Sequence, residues 1–204
     1  MIRFSVHLRG STLMILARIV AVVTVWAVFA GVAHAADPAQ ADCLSADPDR
    51  SLAGCTAVLT RSDEAAQDRA VAFYNRGNAY RYRGDTERAI ADYSEAIRLK
   101  PDYALAFYNR GDAYADRSKY DHAIVDFSEA IRLKPDDASA FNSRGIAYAI
   151  KGESDRAIAD FSEAIRLKPD YASAFSNRGR TYERKGDNER AKVDYTAAAR
   201  LRAR

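Results

Sequence analysis

From position 70 onward the apolar residues recur at helical spacing, and the pattern restarts every 34 residues. One segment sets Phe107, Gly111 and Tyr114 on a single face, and the next sets Ala123, Ile124, Phe127, Ala130 and Ile131 on another, with charged and amide residues between them. Each unit is therefore predicted to be two short amphipathic helices. The string Ala-Phe-Tyr-Asn-Arg-Gly begins at Ala72 and at Ala106, with variants at Ala140 and Ala174. A second block, Ala-Ile-x-Asp-aromatic-Ser-Glu-Ala-Ile-Arg-Leu-Lys-Pro, begins at Ala89, Ala123 and Ala157, with a decayed copy at Ala191. Four units result: 70–103, 104–137, 138–171 and 172–204.

The punctuation agrees with the period. Gly84, Gly152 and Gly186 fall where the first helix of a unit should stop, Asp85, Ser154 and Asp187 are placed to cap the second, and Pro101, Pro135 and Pro169 close it. Ser118 stands where the second unit would carry glycine, a weaker stop. A helix pair of this size exposes too much apolar surface alone, so neighbours must stack into a solenoid whose stability is a sum of nearest-neighbour terms.

The repeating columns are Phe73, Phe107, Phe141, Phe175; Gly77, Gly111, Gly145, Gly179; Tyr80, Tyr114, Tyr148, Tyr182; Ala89, Ala123, Ala157, Ala191; and Ala96, Ala130, Ala164, Ala198. On these residues the chain resembles the tetratricopeptide repeat (TPR) family, over about two thirds of its length. The resemblance implies an all-α fold, an alpha-alpha superhelix of four repeats. Arg76, Arg110, Arg144 and Arg178 occupy a column that is often apolar in the family. With Asp92, Asp126, Asp160 and Asp194 recurring on the second helix, the expectation is a structural Arg to Asp ladder rather than a ligand site. The last helix carries Lys192 and Ala199 where the others have isoleucines, which suits a terminal repeat. Residues Ser51 to Thr60 resemble the second helix of a degenerate repeat, so 36–69 is expected to form an N-terminal cap.

The first 35 residues read differently. Arg3, Arg9 and Arg18 precede an uncharged run from Ile19 to Val32, then Ala33-His34-Ala35 and the polar Ala36-Asp37-Pro38. That order is a secretory signal peptide with cleavage expected after Ala35, giving a periplasmic or secreted product. As a helix the run would span about 21 Å, short of the ~30 Å hydrocarbon core, so a retained signal anchor is the alternative. Export changes the reading of Cys43 and Cys55, the only two cysteines. Oxidising compartments preserve disulfides, and a bridge closing this loop contributes about 3 kcal/mol in the chain-entropy model. Free thiols or a redox couple are the alternatives, but the spacing is not Cys-x-x-Cys and no metal-type partner lies nearby.

The resemblance further implies that first helices line a concave face which grips extended or helical segments of other proteins. The inward-facing columns give Tyr74, Asn75, Asn78, Arg81 and Tyr82; Leu105, Tyr108, Asn109 and Asp112; Asn142, Ser143 and Ile146; and Ser173, Asn177 and Arg180. Asn offers a peptide amide both a donor and an acceptor, and Tyr adds stiff contact area with a hydroxyl tip. Chaperone-binding members clamp a C-terminal carboxylate with Lys, Asn and Arg. Here Asn78 and Asn109 match, but Tyr74, Ser139 and Ser143 stand where the cations would be, so that ligand is disfavoured.

Composition narrows the function classes. The formal charge of +3 comes from the three leader arginines, and the remainder is neutral. Neutrality and export argue against nucleic acid. Charge is nonetheless uneven, with seven acids to three bases over 36–69 and nine bases to four acids over 172–204. An acidic start and a basic end allow docking of acidic partners or weak head-to-tail pairing of two copies. His122 is the sole histidine beyond the leader, expected on an exposed turn, and no phosphate loop, nucleophile pair or metal cluster is visible. An enzyme, a hydrolase for instance, is the weaker reading, and no cofactor is implied.

Overall fold

The structure, a computed structural model, describes residues 37–203; the expected leader and the cleavage point after Ala35 lie outside them. Among the described residues there are ten α-helices and no strand. A short pair opens the array, α1 (Pro38–Cys43) and α2 (Pro48–Leu59). Four longer pairs follow: α3 (Ala66–Tyr82) with α4 (Thr86–Leu99), α5 (Ala104–Asp116) with α6 (Tyr120–Leu133), α7 (Ala138–Ile150) with α8 (Ser154–Leu167), and α9 (Ala172–Arg184) with α10 (Asn188–Arg202).

Each helix packs on the one before and the one after it. The backbones of first helices also approach one another across repeats, α3 to α5, α5 to α7 and α7 to α9, whereas those of second helices lie farther apart. Closer spacing on one side curves the stack, so the first helices form its inner, concave layer. The arrangement is the expected TPR solenoid.

Small residues set the helix spacing. A Cβ added at Gly111 would lie 2.8 Å from a ring carbon of Phe127, and Gly145 stands the same way to Phe161. The alanines that begin and follow these contacts, such as Ala123 and Ala130 in α6, are buried, and the rings of Tyr93, Phe127 and Phe161 fill the space between paired helices. Tyr195, their counterpart in the fourth repeat, is 38% exposed.

The turns inside the four repeats share one hydrogen-bond pattern. The amides of Asp85, Lys119, Glu153 and Asp187 donate to the carbonyls of Tyr80, Tyr114, Tyr148 and Tyr182 at 2.9 Å. The residue before each takes a positive φ, 80° to 82° at Gly84, Gly152 and Gly186, and Ser118 adopts 58° despite its side chain. The capping expectation holds at Asp85 and Asp187, which accept from the amides of Arg88 and Arg190. It fails at Ser154. The N-cap there is Glu153, whose side chain caps no amide and instead pairs with Arg156 at 2.6 Å.

The Arg to Asp ladder is present in every repeat. Arg76, Arg110, Arg144 and Arg178 grip Asp92, Asp126, Asp160 and Asp194 with two parallel hydrogen bonds of 2.7 to 2.9 Å. From the second repeat onward the third nitrogen reaches back to Ser94, Ser128 or Ser162 of the preceding repeat at 2.9 to 3.0 Å. Each arginine also lies over the phenylalanine three residues earlier, 5.5 to 5.7 Å from its ring centre. These charges therefore hold helices and repeats together.

The N-terminal pair is a tied cap. Asp47 accepts from the amides of Asp49 and Arg50, with Pro48 as the first residue of α2. Cys43 and Cys55 are joined by a disulfide, and the Ser51 hydroxyl donates to the Cys43 carbonyl at 3.1 Å. Gly54 lets α1 lie directly on α2, since a Cβ there would come within 2.6 Å of Asp42. Cys43, Cys55 and Val58 form one cluster with Ala72, through which the cap covers α3.

Candidate functional site

The inner layer is built from two kinds of polar contact and one open strip. The first contact is a diagonal seam between adjacent first helices. The Asn109 amide donates to the Tyr74 hydroxyl at 3.1 Å, Tyr108 and Ser143 share a hydrogen bond of 3.3 Å, and the Asn177 amide donates to Asn142 at 3.0 Å. In each case residue n meets residue n+35, because the stack advances each helix by one position relative to its neighbour. Asn109 also donates to Asn78 at 2.8 Å, and the same oxygen accepts from the Tyr93 hydroxyl at 2.8 Å. Much of the expected concave set is thus spent joining repeats. Burial pushes the Tyr93 and Tyr108 hydroxyls above the usual phenol range.

The second contact is ionic. Arg81 reaches Asp112 at 3.4 Å and Asp116 at 3.2 Å across the boundary of the first two repeats. Asp112 is largely withdrawn from water, and this burial, only partly offset by Arg81, pushes its pKa up to about 6.

The open strip runs along residues four apart on each first helix, where side chains share a face. It reads Asn78 and Tyr82 on α3, Asp112 and Asp116 on α5, Ile146 and Ile150 on α7, and Arg180 and Arg184 on α9. Tyr82 is 80% exposed and Ile150 53%. Arg180 and Arg184 are exposed and make no ion pair among the described residues. Asn75 is half-buried and lines a cleft with Ser45, Pro48 and Ser51 of the cap. Leu105 and Ser173 stand exposed near the starts of α5 and α9. Asp116, Ile150 and Arg184 fall outside the expected concave set, although stepping four residues on from Asp112, Ile146 and Arg180 would have found them.

His122 lies in the first turn of α6, not on a turn between helices, with its ring 5.1 Å from that of Tyr114. In the other repeats an arginine holds this place: Arg88 over Tyr80 at 5.5 Å, Arg156 over Tyr148 at 4.0 Å and Arg190 over Tyr182 at 4.6 Å. The histidine substitutes for a recurring structural cation. Among the described residues no cluster of three His, Cys, Asp or Glu is arranged to hold a metal, and no helix is long and apolar enough to cross a membrane.

Comparison with known proteins follows the same columns. Family models of the TPR repeat match residues 77–117, 111–152 and 147–186, and a tetratricopeptide repeat model matches 172–204. No curated protein matches in sequence. Among solved structures, a crystal structure of MamA superposes with a TM-score of 0.73 at 24% identity, covering 82% of this chain and 95% of that one. MamA from Desulfovibrio magneticus RS-1, residues 41 to the end, gives 0.72 at 22% identity over 80% and 91%. These two likenesses establish the fold alone. YrrB, described as a TPR protein with an unusual peptide-binding site, gives 0.66 at 26% identity over 76% of this chain and 77% of that one.

Proposed function

As the chain belongs to the tetratricopeptide repeat family, we propose that it is an exported, non-catalytic scaffold that holds a peptide or helical segment of a partner protein on its inner helices. One observation carries the reading. Side chains that recur in every repeat are engaged in packing, while residues that differ from repeat to repeat, above all Tyr82, Ile146, Ile150, Arg180 and Arg184, stand exposed along the inner strip. A surface freed from the repeat's own structural needs is where recognition is written in a solenoid. YrrB, similar in fold, has a peptide-binding site, which supports the same use here.

Export is supported by the order of charge, apolar run and small residues over positions 1–35 and by the disulfide between Cys43 and Cys55. N-terminal sequencing of the protein recovered from the cell envelope tests it. A product beginning at Ala36 supports a released scaffold, and an intact leader supports a membrane-tethered assembly factor.

The binding reading is tested by photo-crosslinking. A benzophenone amino acid placed at Tyr82, on the inner strip, should capture a partner that the same probe at Val125, on the outer layer, does not. Equal capture at both, or capture at Val125 only, overturns it. The same charge distribution suits weak head-to-tail pairing, acidic cap to basic end; sedimentation at low and high salt that finds monomers throughout disposes of it.

A further inference from the structure

The inner strip changes character along its length, and the change specifies a ligand. In its first half the charges are paired within the chain, Arg81 being shared between Asp112 and Asp116 with one negative charge in excess. In its second half, among the described residues, they are not. Between α7 and α9 a cavity of about 200 Å3 is lined by Ile146, Ala149, Ile150 and Phe161 on one side and by Arg180 and Arg184 on the other. Ile146 and Ile150 expose 37% and 53% of their surface to water, and the two guanidinium groups, one helical turn apart, make no ion pair among the described residues. Apolar surface and unpaired positive charge side by side are both unsatisfied in the free protein. A ligand that covers the isoleucines and brings carboxylates to the arginines relieves both at once.

The geometry points to a partner segment in which an aliphatic side chain, seated against Ile146 and Ile150, is adjacent to one or two Asp or Glu side chains held by Arg180 and Arg184. This rests on the inner-helix reading above and names the kind of segment bound. A basic segment is disfavoured by the arginines, and a purely apolar one would leave them uncompensated. Charge complementarity also predicts faster association at low salt.

The test is selection from a random peptide library by the purified chain, with fluorescence anisotropy on the winning sequences. Wild type should enrich aliphatic residues next to Asp or Glu, and the double variant R180E/R184E should enrich aliphatic residues next to Lys or Arg instead. R180Q/R184Q should weaken the best wild-type peptide about ten-fold. Both arginines lie on the exposed strip, and circular dichroism melts check that the fold is retained. Enrichment without acidic bias, or a bias that survives the charge reversal, overturns the proposal. So does affinity that depends on a free peptide C-terminus and vanishes on amidation, since the carboxylate would then be terminal. Ile146→Asp and Tyr82→Ala separate this from the wider reading: peptides without acidic bias that either variant releases leave inner-helix binding intact, and peptides indifferent to both overturn the two together.

Discussion

The guanidinium of Arg144 donates to the hydroxyl of Ser128 across 3.0 Å, tying the third repeat to the second, while its other two nitrogens are occupied by Asp160 within its own repeat. One side chain thus serves an internal and an inter-repeat bond. Asp160→Ala leaves a half-buried arginine without its anion and is expected to cost about 3 to 5 kcal/mol, whereas Ser128→Ala removes one neutral acceptor and is expected to cost about 1 kcal/mol. Urea denaturation of the two variants checks the ratio.

Ser118 holds a left-handed backbone, φ 58°, at the position that Gly84, Gly152 and Gly186 fill in the other repeats. A side chain there costs roughly 1 kcal/mol. Ser118→Gly is expected to raise stability by about that amount, and Gly152→Ser to lower it by a similar amount, read as shifts in the urea midpoint.

Reduction of the Cys43 to Cys55 bond removes a constraint worth about 3 kcal/mol on the chain-entropy account. In a linear array the loss is expected to stay local. Amide hydrogen exchange under reducing conditions should accelerate over 38–59 and leave α5 to α10 protected.

Asp112 should titrate near pH 6, observed as the carboxyl carbon shift in a labelled sample. The folded chain holds this proton more tightly than the unfolded chain, so its contribution favours folding below about pH 4 and is lost as pH rises to about 6. Asp112→Asn should abolish that decline, and stability profiles of wild type and variant between pH 4 and 7 measure it.

The 34-residue period made the fold legible, because packing is nearest-neighbour and each column has one structural task. Gly111 against Phe127 and Arg110 with Asp126 follow from that logic alone. The inner surface was less legible. Tyr74, Asn78, Asn109, Asn142 and Asn177 read as available to a ligand when each column is considered by itself. Their partners sit 31 or 35 residues away, in an adjacent column, so the seam depends on how one helix is displaced along the next. Ser154 shows the same sensitivity to register: in the frame set by Asp85 and Asp187 the capping position is Glu153, whose longer side chain turns outward to Arg156.

The closed loop between Cys43 and Cys55 limits how far the start of the array can be drawn out under tension. A pull along the chain passes through the covalent link once the helix pairs beyond it have opened. The segment inside the loop then cannot lengthen, since the covalent link spanning 12 positions withholds it from the pull.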